Sequence, residues 1–316
     1  MIFDEMKQKI DRAETIAVLT HENPDGDAIG SGLAVYWALK NMEKNVDFIV
    51  PVLPNTFKKL PGADEIKSES SFENYDLAIS VDAATIERLG TGGKILQEAK
   101  ESFVIDHHGS HINFGDIDYV EPVSPANCQT LVAILKAWGV EFTKEVASAL
   151  LCGLITDTGG FQYQTVTKYT FDCAGEMVEA GADLTGIYRQ VFETKTRAAM
   201  ELQKRALDRM EYLEDGKVCY TYTSLKDEEE TNADPGDYEG IVTIGRAVEG
   251  VEVSVYIREI GDDFYKISTR SNEYVNVSEV CSTFGGGGHI RAAGAKVNEK
   301  LEDIKENILA EIRKQL

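Results

Sequence analysis

The chain has 316 residues, enough for one large domain or two of ordinary size, and an α/β architecture of this length divides naturally in two. Its 54 Asp and Glu against 32 Lys and Arg give a formal charge of −22, which argues against broad, sequence-independent nucleic-acid binding, because such binding neutralises many phosphates with Lys and Arg. A hydrophobic content of 43% excludes disorder as the main state and leaves room for a small phosphorylated ligand in a locally positive site.

The N-terminal stretch MIFDEMKQKIDRAETIAVLT is charged and amphipathic and lacks the pattern of a signal peptide. Strands are expected at 16–20, 46–50, 77–81 and 103–105, and helices at 28–41, 91–99, 127–138 and 144–154. Short strands alternating with helices imply βαβ units and a largely parallel sheet, whose ligands collect beyond the carboxyl ends of the strands. The first, third and fourth strand runs each end on polar residues, His21, Asp82 and Asp106.

A helical pattern at 169–180 leads through GADL into a charged helical stretch at about 184–213, expected to connect two domains. Beyond it, strand-like runs at 218–223, 251–259 and 264–269 surround a helical 238–248, and an amphipathic helix closes the chain at 301–316. The acidic stretch 226–237 is expected to be a solvated loop. The fold class is therefore α/β in two domains, residues 1–184 carrying a parallel sheet and 215–316 a smaller mixed α/β domain, with a helical linker at 185–214. The five cysteines are isolated and form no CxxC pair, which suits free buried thiols in a reducing compartment. No apolar run spans a bilayer, so a soluble cytoplasmic protein without a membrane partner is expected.

Only five histidines occur, and all lie in polar, glycine-containing segments: His21 in HENPDGD, His107, His108 and His111 in DHHGSH, and His289 in GGGGH. In the first segment His21, Asp25 and Asp27 share a tight turn, where an Asp caps the following helix or the three side chains join in a cation site of mixed N and O donors. Asp82 ends a strand in SVDAA and either caps or ligates. Asp106, His107 and His108 leave the fourth strand together and can take different roles in a turn. Asp157, in ITDTGGF, follows a helix pattern and precedes a Gly-Gly turn. Four converging carboxylates repel unless cations are present, and this number of donors suits two divalent ions roughly 3.5–4 Å apart that share a bridging carboxylate.

HENPDGDAIGS, the Asp of SVDAA, DHH and ITDTGGF together resemble the four ordered motifs of the DHH phosphoesterases, and FGGGGHIRAAGA resembles the glycine-rich motif of the associated DHHA1 domain. The two-domain size is similar to the branch of bifunctional oligoribonucleases, or nanoRNases, that also act as pAp phosphatases. The resemblance implies one metal on His21, Asp25 and Asp82 and a second on Asp27, Asp82, His107 and Asp157, with Asp82 bridging. It implies that Asp106 orients the histidines and that His108 contacts the scissile phosphate or protonates the leaving group. The two divalent ions it implies are usually Mn²⁺, with Mg²⁺ sometimes effective. His111 falls outside the motif and is expected to be a loop residue near the site.

In the second domain the glycines Gly286, Gly287 and Gly288 are expected to expose consecutive N–H groups to an anion, with His289, Arg291 and Arg270 binding phosphate or stacking on a base. The expected substrates are short oligonucleotides, cut to mononucleotides, and pAp, hydrolysed to AMP; long duplexes are not expected. A stand-alone phosphodiesterase acting on cyclic-di-AMP or pApA is the runner-up, and a silent nucleotide-binding module is the non-enzymatic rival. A homodimer is admitted, although no motif encodes the oligomeric state.

Overall fold

The computed structural model describes residues 2–316 and divides into two compact units, Met1–Thr194 and Lys195–Leu316. In the first unit the elements follow as α1 (Ile2–Arg12), β1 (Thr15–Leu19), α2 (Gly26–Asn41), β2 (Asn45–Ile49), β3 (Leu77–Val81), α3 (Gly92–Glu98), β4 (Glu101–Asp106), β5 (Asp118–Val120), α4 (Asn127–Ala137), α5 (Lys144–Asp157), α6 (Lys168–Glu179) and α7 (Leu184–Tyr188). The five strands pair in parallel in the order β2-β1-β3-β4-β5. β3 is buried at every position and so reads as a continuous apolar run, as expected of a strand covered on both faces. Strand order reverses between β1 and β3, so the crevice beyond the carboxyl ends of these neighbours is the place where such sheets bind ligands.

One face of this sheet is covered by α2, α4 and α5 around Ile29, Leu33, Phe103 and Leu151, and the other by α3 around Leu19, Leu89 and Leu96. α2 and α5 cross closely at two glycines. A Cβ on Gly30 would lie 2.5 Å from the Ala149 carbonyl oxygen, and one on Gly153 would lie 2.3 Å from Cys128 Sγ and 2.5 Å from Asp27 Oδ1. The small residues thus let the backbones meet and bring the start of α2 against α5. All five cysteines are free and buried.

The second unit contains α8 (Arg197–Asp208), β6 (Glu211–Leu213), β7 (Val218–Thr223), α9 (Leu225–Thr231), α10 (Ile241–Arg246), β8 (Val253–Gly261), β9 (Phe264–Ser271), α11 (Val277–Ser282), β10 (Gly287–His289), β11 (Ala292–Asn298) and α12 (Leu301–Arg313). Its mixed sheet runs β10-β11-β9-β8-β7-β6. Val255, Ile257, Ile267 and Val297 face Ile304, Ile308 and Ile312 of α12 on one side. On the other side Tyr256 meets Leu202 and Ala206 of α8 and Ile241 of α10.

Two expectations need correction here. The stretch 185–214 is not one helical connector: it breaks into α7, a π turn at Arg189–Glu193, α8 and β6, and α8 is part of the second unit's core. Nor is 226–237 a solvated loop, because α9 occupies Leu225–Thr231 behind a capping box of Ser224 and Asp227. Asp227 is buried and held by Arg209 and Arg205, so its charge serves packing as well as solubility. Among the described residues no helix is long and apolar enough to cross a membrane.

Candidate metal centre

The loop leaving β1 delivers His21, which is buried, and then turns into α2. Asp25 is the N-cap of α2: its Oδ1 accepts the N–H groups of Asp27 (3.0 Å) and Ala28 (3.1 Å). The other oxygen, Oδ2, lies 4.0 Å from His21 Nε2. Capping and cation binding, the two readings of this turn, are therefore compatible in Asp25, one on each oxygen. Asp27 sits in the first turn of α2, fully buried, and its carboxylate accepts the backbone N–H of Asn127 and of Cys128 (2.9 Å) at the start of α4.

Asp82 follows β3 in a left-handed conformation, φ 56°, an uncommon state for a residue other than glycine and one that concentrates at functional sites. Its N–H donates to the Ile105 carbonyl of β4 (3.0 Å), which anchors the turn. The two carboxylate oxygens then face opposite ways. Oδ2 lies 3.9 Å from His21 Nε2, and Oδ1 lies 3.4 Å from His107 Nε2.

His107 leaves β4 with Nδ1 3.0 Å from the Ser124 carbonyl oxygen, which can only accept. That contact orients the ring so that Nε2 points at Asp82, at Asp27 Oδ2 (3.7 Å) and at Asp157 Oδ2 (3.4 Å). Asp157 is the last residue of α5, within the helix rather than in the Gly-Gly turn after it.

Three groups of donor atoms result, each with its atoms within 4.8 Å of one another: His21, Asp25 and Asp82; Asp27, His107 and Asp157; and Asp82, His107 and His108. The six residues expected to ligate two metals thus lie together, at the mouth of the β1/β3 crevice. Asp82 Oδ1 is buried and makes no hydrogen bond, a costly state for a carboxylate oxygen unless a cation faces it. The charge balance points the same way. Burial, and then the neighbouring Asp27, push the Asp82 carboxyl up to about 7. Desolvation also raises Asp27 and Asp157. Burial opposes a proton on His107, but Asp82, Asp27 and Asp157 outweigh it and lift the ring to about 10. Carboxylates crowded in this way hold protons in the absence of cations, and divalent ions remove that need. The mixed imidazole and carboxylate donors, without a thiolate, fit an ion such as Mn²⁺ or Mg²⁺.

Asp106 orients His108 and His111 rather than His107: Oδ1 is 2.7 Å from His108 Nδ1, and Oδ2 is 2.7 Å from His111 Nδ1. His111 lies in the loop after β4, near the site, and is firmly held there. Its Nε2 is 3.1 Å from Asp118 Oδ1, its ring stacks on Phe114, and it is buried within a carboxylate clamp. Asp118, on β5, gave no signal in the sequence, because a three-residue strand is too short to show a period. Ser124 and the N–H groups of Asn127 and Cys128 were equally silent, since backbone groups leave no mark on residue type.

In the second unit Arg270 lies on β9 and His289 on β10. The first two amides of the glycine run are already engaged. The N–H groups of Gly285 and Gly286 donate to the Ser282 and Cys281 carbonyls, and Gly287 and Gly288 pair with Gly294 and Ala293 of β11. A Cβ on Gly286 would lie 2.1 Å from the Gly294 carbonyl oxygen, so close strand approach accounts for glycine there. Arg291 donates to the carbonyls of Val275 (2.9 Å) and Glu273, holding the loop before α11 rather than standing ready for a phosphate.

Residues 15–154 match the N-terminal domain of the DHH family, and residues 215–316 match the DHHA1 domain. The bifunctional oligoribonuclease and PAP phosphatase NrnA of Thermus thermophilus is 30% identical over 305 residues, covering 95% of this chain and 90% of that protein. The cyclic-di-AMP phosphodiesterase PdeA of Listeria monocytogenes is 26% identical over 341 residues, which is 100% of this chain and 49% of that one. Among solved structures, an exopolyphosphatase-related protein from Bacteroides fragilis has a TM-score of 0.91 at 26% identity, covering 99% of this chain and 95% of its own.

Proposed function

The chain belongs to the DHH family of phosphoesterases, and from that membership we propose that it hydrolyses short oligonucleotides to mononucleotides and pAp to AMP with two divalent ions, Mn²⁺ foremost. The observation that carries this reading is Asp82, whose two oxygens face two separate groups of donors. His21, Asp25 and Asp82 would hold one ion, and Asp27, Asp82, His107 and Asp157 the other. Such ions supply Lewis acidity toward phosphoryl oxygens and lower the pKa of a nucleophilic water.

The chain's own groups do the rest. Asp106 holds His108 by Nδ1, which leaves Nε2 as the nitrogen that would serve the reacting ester. As a water oxygen bonds to phosphorus the ester P–O bond breaks, and His108 gives a proton to the departing ribose oxygen. Asp106 offsets the positive charge on that ring beforehand, since its hydrogen bond, against the pull of desolvation, raises the His108 pKa. Arg270 and His289 would hold the far end of the substrate.

The resemblance to PdeA favours one second reading, a phosphodiesterase of cyclic-di-AMP or pApA. One assay series separates the two. Purified chain with Mn²⁺ is offered pApA, longer RNA, pAp, cyclic-di-AMP and pyrophosphate, beside an Asp82→Ala variant. Turnover of pApA and pAp that disappears in the variant supports the proposal. Turnover of cyclic-di-AMP alone moves the assignment to the second reading, and no turnover at all, or an unaffected variant, sinks both.

A further inference from the structure

On a chain of net charge −22, one strip of the second unit's sheet is cationic. Arg258 of β8, Lys266 of β9 and Lys296 of β11 are direct cross-strand partners and form a single row. Residues opposite one another in a ladder point to the same face, and like charges placed so are destabilising. The row lies on the face away from α12, because its neighbours Ile257, Ile267, Ala295 and Val297 are the ones that pack against that helix. α8 and α10 cover this face over β7, β8 and part of β9, and Lys266 and Lys296 are exposed. Arg258 is held behind them, stacked on Tyr238 at 3.3 Å and paired with Glu228.

Lysine at a sheet edge blocks unwanted strand pairing, which would account for Lys296, where β11 runs past its three-residue neighbour β10. It does not account for Lys266, which sits on β9 between β8 and β11. Desolvation, Arg258 and Lys296 hold the Lys266 amine below its ordinary value, with Arg270 adding to them and Glu239 opposing. An anion lying across the row would relieve that mutual repulsion.

The same face continues to Arg270, four residues further on along β9, and through its partner Ala292 to His289 on β10. That is roughly 13 Å of extended strand, beyond the reach of a single phosphate. Between the two cationic ends Ser268, Gly294 and Gly287 form a floor without bulky side chains over β9, β11 and β10, while Tyr256 closes the row on β8 beneath α8 and α10.

We propose that Lys266 and Lys296 form a second phosphate-binding position, which engages the backbone of oligonucleotides longer than a dinucleotide. This rests on the reading that the chain acts on short oligonucleotides. The position distinguishes substrates by length: pAp and pApA leave it empty, and a pentanucleotide fills it.

The test uses the full chain and the Lys266→Gln/Lys296→Gln double variant with Mn²⁺. KM and kcat are measured on pAp, pApA and 5′-phosphorylated pentaadenylate at several salt concentrations. The expected result is unchanged constants for pAp and pApA and a KM for the pentamer raised about tenfold, with its log–log salt slope shallower by about 1. The Lys266→Arg/Lys296→Arg variant keeps the pentamer constants of the wild type. An unchanged pentamer KM, or an equal loss on all three substrates, overturns the proposal. Binding of fluorescein-labelled pentaadenylate to the EDTA-treated proteins, read by anisotropy, separates this from the hydrolytic reading. Should the wild type cut none of these substrates, weaker binding by the double glutamine variant still supports the phosphate position, and equal binding removes it.

Discussion

Asp106 divides its carboxylate between two histidines, Oδ1 to His108 Nδ1 and Oδ2 to His111 Nδ1, each at 2.7 Å. Asp118 closes the chain from the far side of His111 at 3.1 Å. The ring proposed to protonate the leaving oxygen is thus braced by a side chain outside the recognised motif. A His111→Phe variant keeps an aromatic ring against Phe114 but removes both carboxylate contacts. Its kcat on pApA falls by about 10- to 100-fold, the usual size of an effect transmitted through a supporting hydrogen bond. On bis(p-nitrophenyl) phosphate, whose leaving group departs without a proton, the loss is much smaller. An equal loss on both substrates would mean that His111 only supports the loop.

Removing Asp82 takes an oxygen from both donor groups at once. Asp82→Asn therefore lowers kcat/KM by about 10³-fold or more, several kcal/mol of transition-state stabilisation. In the wild type, Mn²⁺ at 100 times its Kd adds about 2.7 kcal/mol of stability. Thermal unfolding with Mn²⁺ and then with EDTA shows a rise in Tm that chelation reverses, and the variant shows little of either.

Gly153→Ala is the smallest change that reaches the centre from within α5. The added methyl would lie 2.5 Å from Asp27 Oδ1 and 2.3 Å from Cys128 Sγ. Overpacking of this kind costs about 1–3 kcal/mol, and here it also displaces a proposed ligand. Calorimetry is expected to show a lower Tm together with weakened Mn²⁺ binding. A variant that binds Mn²⁺ as the wild type does would show that Asp27 tolerates the shift.

Acid sensitivity in the second unit centres on Asp227. Burial favours its protonated form, yet hydrogen bonds from Arg209, Ser224 and Arg205 hold the carboxyl well below the usual carboxylate range. A carboxyl depressed in the folded state stabilises above its unfolded pKa, near 3.9, and this contribution is lost as pH falls toward the folded value. Asp227→Asn is therefore less stable than the wild type by about 1–3 kcal/mol at pH 7. The gap between the two melting curves narrows below about pH 4. A gap that stayed constant to pH 3 would show that the charge is not what matters.

The parallel sheet was legible because its first four strands are short apolar runs, and the first, third and fourth of them close on His21, Asp82 and Asp106 of the candidate site. The same reasoning stopped where the signal was carried by other means. β5 has three half-buried residues and no pattern to read. The acidic run 226–237 looked solvated because composition cannot show that Asp227 has two arginines behind it in α8 and after it. The glycines before His289 read as a nest of amides for an anion, yet at Gly286 and Gly288 close approach to β11 also demands glycine, a long-range cause that no local pattern records.

The division at Thr194 and Lys195 leaves every proposed metal ligand in the first unit and the cationic strip wholly in the second. Bond-breaking and length selection are therefore separable traits. Substitutions on β9 and β11 can retune which oligomers are accepted while the hydrolytic apparatus is inherited unaltered, so divergence in substrate range among related chains is to be sought first in the second unit.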